Sequence, residues 1–167
     1  MPEKKISCCF TGHRPNKLPW GTDEEDSRCT ELKAQIAQKL AEIYDRGYRH
    51  FICGMAIGCD LYFFEEVLAL RQRHPDVTAE AAVPCPSQPN AWPDDIKEKY
   101  YRFLESADRV TMVSQTYSKG CMMKRNRYMV DSSSLILACF NGTSGGTMST
   151  LLYAMRSGLE KVQIDIE

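Results

Sequence analysis

The run Ser134-Leu135-Ile136-Leu137-Ala138-Cys139-Phe140 constrains this chain more than any other stretch. It has strand length and no helical stripe, so it reads as a strand buried on both faces. The cationic segment Met122-Met123-Lys124-Arg125-Asn126-Arg127-Tyr128-Met129-Val130-Asp131 precedes it, and the glycine-rich Asn141-Gly142-Thr143-Ser144-Gly145-Gly146-Thr147 follows it. Open α/β sheets bind ligands beyond the carboxyl ends of such strands. A small-residue loop there can aim several backbone N–H groups at one anion, and the start of the next helix adds positive dipole. Arg125 and Arg127 are placed to add charge-assisted bonds to phosphate.

The rest of the chain repeats this alternation. Lys5 to Thr11 reads as a first strand ended by Gly12-His13-Arg14-Pro15, and the capping-box pattern Thr22-Asp23-Glu24-Glu25 predicts a helix start. That helix runs to about Arg46 on a stripe of Leu32, Ile36, Leu40 and Ile43, with Gly47 as its stop. His50 to Cys53 gives a second strand, closed by Gly54-Met55-Ala56-Ile57-Gly58-Cys59-Asp60. A broadly apolar helix follows from Leu61 to about Arg73. Thr78 to Val83 is a third strand, and a proline-rich loop then leads to a helix opened by Pro93-Asp94-Asp95. Arg109 to Val113 is the fourth strand, and Met122 to about Asp131 a short helix. Thr147 to Ser157 is the last helix, and Val162 to Ile166 an edge strand. The pattern is that of an α/β fold: a single Rossmann-like domain over 1–167, a mostly parallel sheet with helices on both faces.

Charge narrows the function classes. With 21 basic and 22 acidic residues the net charge is −1, so no overall field attracts bulk nucleic acid or an anionic membrane. A local cationic pocket is compatible with that balance. No apolar stretch approaches the ~20 residues of a membrane span, and the polar opening Met1-Pro2-Glu3-Lys4-Lys5 lacks a signal peptide's apolar run, which implies a cytoplasmic protein. Among eight cysteines no pair has C-x-x-C spacing, and Cys8, Cys53 and Cys139 lie in apolar strand-like runs. Reduced, structural thiols and no metal site are expected.

Three loops after strands carry the unusual chemistry: Gly12-His13-Arg14, Gly54 to Asp60, and Gly142 to Thr147. If their strands are neighbours, the three meet at one sheet edge, and their glycines let backbone approach a ligand closely. Asp60 is a candidate for a ribose hydroxyl or for proton transfer, set against the alternative of a helix N-cap. Arg125 is read as a phosphate ligand whose removal leaves the unliganded protein's stability nearly unchanged. His13 and Arg14 are candidates for phosphate or base contact, against the alternative of a polar turn. Trp92 and Tyr117 are candidates for stacking on a base. His50 and His74 lie outside these loops and receive no role.

The stretches Cys9-Phe10-Thr11-Gly12-His13-Arg14-Pro15, Gly54-Met55-Ala56-Ile57-Gly58-Cys59-Asp60-Leu61-Tyr62-Phe63 and Gly120 to Thr147 resemble the SLOG superfamily. This Rossmann-like group contains DprA and the LOG phosphoribohydrolases, and within it the chain is similar to the YpsA-like branch. The LOG motif Met-x-x-Arg-Lys-x-x-Met resembles Met122 to Met129, with Asn126 where lysine is usual. The LOG motif Gly-Gly-x-Gly-Thr-x-x-Glu resembles Thr143 to Thr150, with Thr150 at the glutamate.

The resemblance implies a nucleotide or nucleotide-derived ligand of the ADP-ribose or NAD kind. The ligand residues it implies are Gly12, His13, Arg14, Gly54, Met55, Gly58, Asp60, Arg125, Gly145, Gly146 and Thr147. It also implies a homo-oligomer and, for a sensor, a protein partner. Cleavage of an N-glycosidic bond, as in LOG enzymes, is the alternative, with Asp60 and Arg125 as catalytic residues and Glu65 as a substitute carboxylate. Single-stranded DNA binding, as in DprA, is a second alternative that the neutral charge disfavours. The missing glutamate favours binding over turnover.

Overall fold

The predicted buried strand is β5 (Leu135–Phe140), and it pairs in parallel with β1 (Ser7–Gly12) on one side and β6 (Glu160–Asp165) on the other. The computed structural model describes residues 2–167. β2 (His50–Cys53), β3 (Thr78–Val83) and β4 (Arg109–Met112) complete a six-stranded, all-parallel sheet in the order β4-β3-β2-β1-β5-β6. The chain therefore winds outward from β1 to β4 and then returns to the far side of β1. That reversal puts the switch point between β1 and β5, where open α/β sheets leave a crevice at the carboxyl ends.

Helices α1 (Ser27–Asp45), α2 (Cys59–Arg73) and α3 (Asp94–Ser106) cover one face. α4 (Cys121–Asp131) and α5 (Gly146–Arg156) cover the other. Adjacent residues of a strand point to opposite faces, so Cys8 joins the first core and Cys9 the second. Phe10 of β1 stacks on Phe63 of α2 with ring centroids 4.5 Å apart, fixing that helix over the switch point. All eight cysteines are free and buried, and burial pushes the Cys9 thiol up to about 12.

Four boundaries differ from expectation by two residues or more. β1 begins at Ser7, because Lys4–Ile6 forms a 3-10 turn. α1 begins at Ser27 rather than near Thr22: the Asp23 side chain accepts from Glu25 N at 3.0 Å, making a local turn, while Asp26 caps the helix by accepting from Arg28 N at 2.9 Å. α2 begins two residues early, so Asp60 lies inside its first turn and Gly58 is the N-cap. β6 begins at Glu160 and lies at the sheet edge as expected.

A charged residue sits in the middle of β3. Glu80 is buried, accepting from His50 Nε2 and from Thr111 Oγ1 at 2.7 Å each and from the Tyr128 hydroxyl of α4. Among the described residues no helix is long and apolar enough to cross a membrane, and no cluster of His, Cys, Asp and Glu has metal-binding geometry.

Candidate functional site

The parallel order brings the loops after β1, β2 and β5 to one edge, around a cleft of about 210 Å3. β1 and its loop contribute Gly12, His13, Arg14, Asn16 and Lys17; α2 contributes Asp60; α4 contributes Arg125, Asn126 and Met129. Gly145, Gly146 and Thr147 supply the opposite wall.

That wall is the first turn of α5. The first intrahelical bond runs from Ser149 N to Gly145 O at 3.0 Å, so the amides of Gly146, Thr147 and Met148 precede the helical ladder. Gly145 has φ 143°, accessible to glycine at little cost, and a Cβ there would meet Lys17 Nζ at 2.7 Å. A Cβ on Gly146 would meet nothing within 4 Å, so that residue opens directly onto the cleft. Lys17 donates to Thr143 Oγ1 at 3.1 Å and to the Ser144 carbonyl, tying the β1 loop to the glycine loop.

His13 is buried beneath this wall. Its Nε2 accepts from Asn141 N at 3.0 Å, and its Nδ1 lies 3.3 Å from Thr147 Oγ1. Burial lowers its pKa, the Asn141 side chain opposes that shift, and the Lys17 charge adds to it. The imidazole is therefore neutral at pH 7.

Arg125 and Asp60 form the floor. Arg125 is 3% exposed and donates to the carbonyls of Gly54 and Ala82, while its Nε donates to Asn126 Oδ1 at 2.7 Å. Gln88 braces it, with Oε1 3.4 Å from Arg125 Nη1 and Nε2 donating to Gly54 O at 3.3 Å. Asp60 accepts from Ala56 N at 3.0 Å. Burial raises the Asp60 carboxyl above its ordinary value, and the Arg125 charge pulls it back. Burial lowers the Arg125 guanidinium, and Asp60 opposes that in turn. Among the described residues they make no direct ion pair; each steadies the other across the floor.

Three glycines have reasons other than ligand approach. A Cβ on Gly54 would lie 2.7–2.9 Å from the Arg125 guanidinium, so Gly54 is the platform on which that group rests. A Cβ on Gly12 would strike Cys59 Cβ at 2.6 Å, although Gly12 also lines the cleft. Gly58, with φ 99°, packs against the His13 carbonyl. Gly54, Met55 and Gly58 thus stand behind the cleft rather than in it, and Met55 is fully buried in the core.

Other candidates lie elsewhere. Arg127 is exposed, its guanidinium 5.5 Å from the Tyr153 ring centroid. Glu65 faces Lys33 and Lys99, at 4.0 and 3.6 Å, away from the cleft. Trp92 packs edge-on against Tyr100, and Tyr117 is exposed on its loop. Thr150, at the LOG glutamate position, is 1% exposed and donates to Gly146 O at 2.9 Å. Sequence reasoning passed over Asn16 and Lys17 in the cleft, and the Glu80–His50 network within the sheet. A lysine in a turn carries no signal, whereas a glutamate inside the apolar strand Thr78–Val83 does.

The family profile described as the YspA SLOG family matches residues 8–167. The uncharacterized SPbeta prophage-derived protein YoqJ of Bacillus subtilis (strain 168) is 30% identical over 142 residues, covering 77% of this chain and 83% of that protein. UPF0398 protein BH1768 of Halalkalibacterium halodurans is 25% identical over 160 residues, 94% of this chain and 84% of that protein. Among solved structures, DNA processing protein A of Helicobacter pylori, described with a single-stranded DNA binding mode, superposes with TM-score 0.61 at 15% identity. DprA of Streptococcus pneumoniae superposes with TM-score 0.59 at 14% identity. Both alignments cover 96% of this chain but only 65% and 50% of those chains, and at such identity they show a common fold alone. With a profile match that runs from β1 to the last residue, the chain belongs to the YpsA (YspA SLOG) family.

Proposed function

We propose that this protein binds a nucleotide or nucleotide-derived ligand of the AMP, ADP-ribose or NAD kind and acts as a sensor or regulatory module. The carrying observation is the cleft at the β1–β5 switch point, where Lys17, Arg14 and the open first turn of α5 face one space. Two cations and free helical amides suit a phosphate, and Asp60 on the floor suits a ribose hydroxyl. The volume of about 210 Å3 falls below the ~300–1,000 Å3 of pockets that enclose drug-sized ligands, so a phosphoribosyl group fits inside and a base extends outward.

Turnover needs a carboxylate beside the ribose and a placed water. Thr150 offers neither, being sealed against Gly146 and Asn126. Asp60 is the sole acid lining the cleft. This supports a binding function over hydrolysis. The DprA likeness raises single-stranded DNA as a second ligand, which the net charge of −1 disfavours. Mass spectrometry of small molecules released from gently denatured protein, followed by calorimetric titration with AMP, ADP-ribose and NAD, tests the reading. Empty protein that binds none of the three would overturn it.

A further inference from the structure

We infer that His13 is a positioning residue that fixes the hydroxyl of Thr147, the threonine of the glycine motif, as a hydrogen-bond donor into the cleft. The inference rests on the phosphate reading above and adds how the site selects an acceptor-only group.

The backbone fixes the imidazole. A peptide N–H only donates, so Asn141 N, 3.0 Å from Nε2, requires that nitrogen to be unprotonated. A proton on Nε2 would point straight at the amide hydrogen. A neutral imidazole then carries its proton on Nδ1, which lies 3.3 Å from Thr147 Oγ1. Thr147 must accept there, and its own proton turns elsewhere.

The surroundings leave one direction for that proton. Thr147 is 6% exposed and sits at the second helical position of α5, lining the cleft beside Gly146. Its hydroxyl has no other partner within the chain among the described residues. It therefore donates into the cleft, next to the free amides of the first turn. Burial and the Lys17 charge make the protonated imidazole unfavourable. The ring thus stays a relay in which Asn141 donates to His13 and His13 donates to Thr147. Phosphate oxygens, which only accept, match this donor; a ligand group that must itself donate does not.

The test begins with the unliganded protein. Long-range 15N–1H correlation spectra at pH 7.5 are expected to show Nδ1 protonated and Nε2 bare, and the opposite tautomer would overturn the inference. Calorimetry with AMP then compares parent, Thr147→Val, Thr147→Ser, His13→Phe and the His13→Phe/Thr147→Val pair, with melting curves confirming folding. Thr147→Val should weaken AMP about tenfold or more, the scale of a hydrogen bond to a charged group, and serine should recover most of that loss. His13→Phe should weaken binding comparably, and the pair should lose little beyond either single change, because the two act as one unit. Equal affinity in Thr147→Val, or fully additive losses, would overturn the relay while leaving the nucleotide reading standing. Parent protein that binds neither AMP nor inorganic phosphate would overturn both.

Discussion

Asn126 Nδ2 donates to Thr150 Oγ1 at 2.9 Å, joining α4 to α5. These are two of the positions at which the chain departs from the LOG motifs, Thr143 and Ser144 being the others, and here the two departures touch. Thr150 passes the connection on to the Gly146 carbonyl, so the first turn of α5 is braced against the helix that carries Arg125. A glutamate at position 150 would be forced into a site 1% exposed, its second oxygen beside that carbonyl.

Restoring the glutamate alone should therefore fail. Thr150→Glu is expected to destabilise the fold by about 1–3 kcal/mol through burial of a poorly partnered carboxylate. Adding Asn126→Lys supplies a counter-charge and should recover part of the loss. Urea unfolding of both singles and the double measures the coupling, and additive effects would contradict it.

Arg125 was expected to matter for ligand and not for stability, and the structure reverses the second half. Its guanidinium holds Gly54 O and Ala82 O and faces Asp60 across the floor. Arg125→Ala leaves buried acceptors unpaired and Asp60 without its nearest cation. The expected loss is about 3 kcal/mol in the unliganded protein, or roughly 6–12 °C in Tm for a domain of this size. An unchanged melting temperature would show that the floor does not depend on it.

Gly145 and Gly146 should behave differently. Gly146→Val places bulk in open space inside the cleft, so ligand binding should collapse with little change in Tm. Gly145→Ala meets both φ 143° and the Lys17 ammonium, and is expected to cost about 1–2 kcal/mol of stability. Melting curves and AMP titrations on the two variants read out the contrast. Equal destabilisation by both would contradict it.

What the sequence disclosed follows from how local each signal is. β5 was legible because a run buried on both faces has no other way to satisfy its apolar side chains, and its flanking loop lines the cleft. The start of α1 was not, because Asp23 and Asp26 both offer side-chain turns and only the packing of Glu24 against Lys33 and Lys99 shows which one wins. Gly54 was legible as special but not for its reason: the group it accommodates comes from Arg125, 71 residues later. Lys17 reaches Thr143 across 126 residues, and nothing near either residue announces the pairing.

Glu80 gives a pH dependence with a definite sign. Burial alone would raise its carboxyl, but hydrogen bonds from His50, Tyr128 and Thr111 outweigh it and hold it below the ordinary 4.5. The unfolded chain therefore takes up this proton first on acidification. Stability from Glu80 is fully present above about pH 4.5 and is lost as pH falls through the folded value. Glu80→Gln should cost about 1–3 kcal/mol at pH 7, with the gap to the parent narrowing below pH 4.5. Urea unfolding of both proteins in steps from neutral to acid measures it, and a constant gap would contradict the assignment.

The last prediction separates binding from turnover. Asp60 is the sole carboxylate lining the cleft, and burial keeps its pKa raised beside Arg125. A general acid needs such a pKa, but cleavage of an N-glycosidic bond also needs a group to stabilise the ribosyl cation or activate water. One carboxylate already accepting from Ala56 N does not fill both roles. AMP, ADP-ribose and NAD are therefore expected to survive long incubation with the protein, releasing base or ribose 5-phosphate no faster than with Asp60→Asn. Asparagine keeps the acceptor for Ala56 N, so the variant should fold while losing the charge that lines the cleft. Its affinity for AMP should drop about tenfold, the scale of one charge-assisted hydrogen bond. Chromatography of each nucleotide reads the first outcome and calorimetry the second. Rapid product release that vanishes in Asp60→Asn would establish a hydrolase whose acid has moved from α5 to α2.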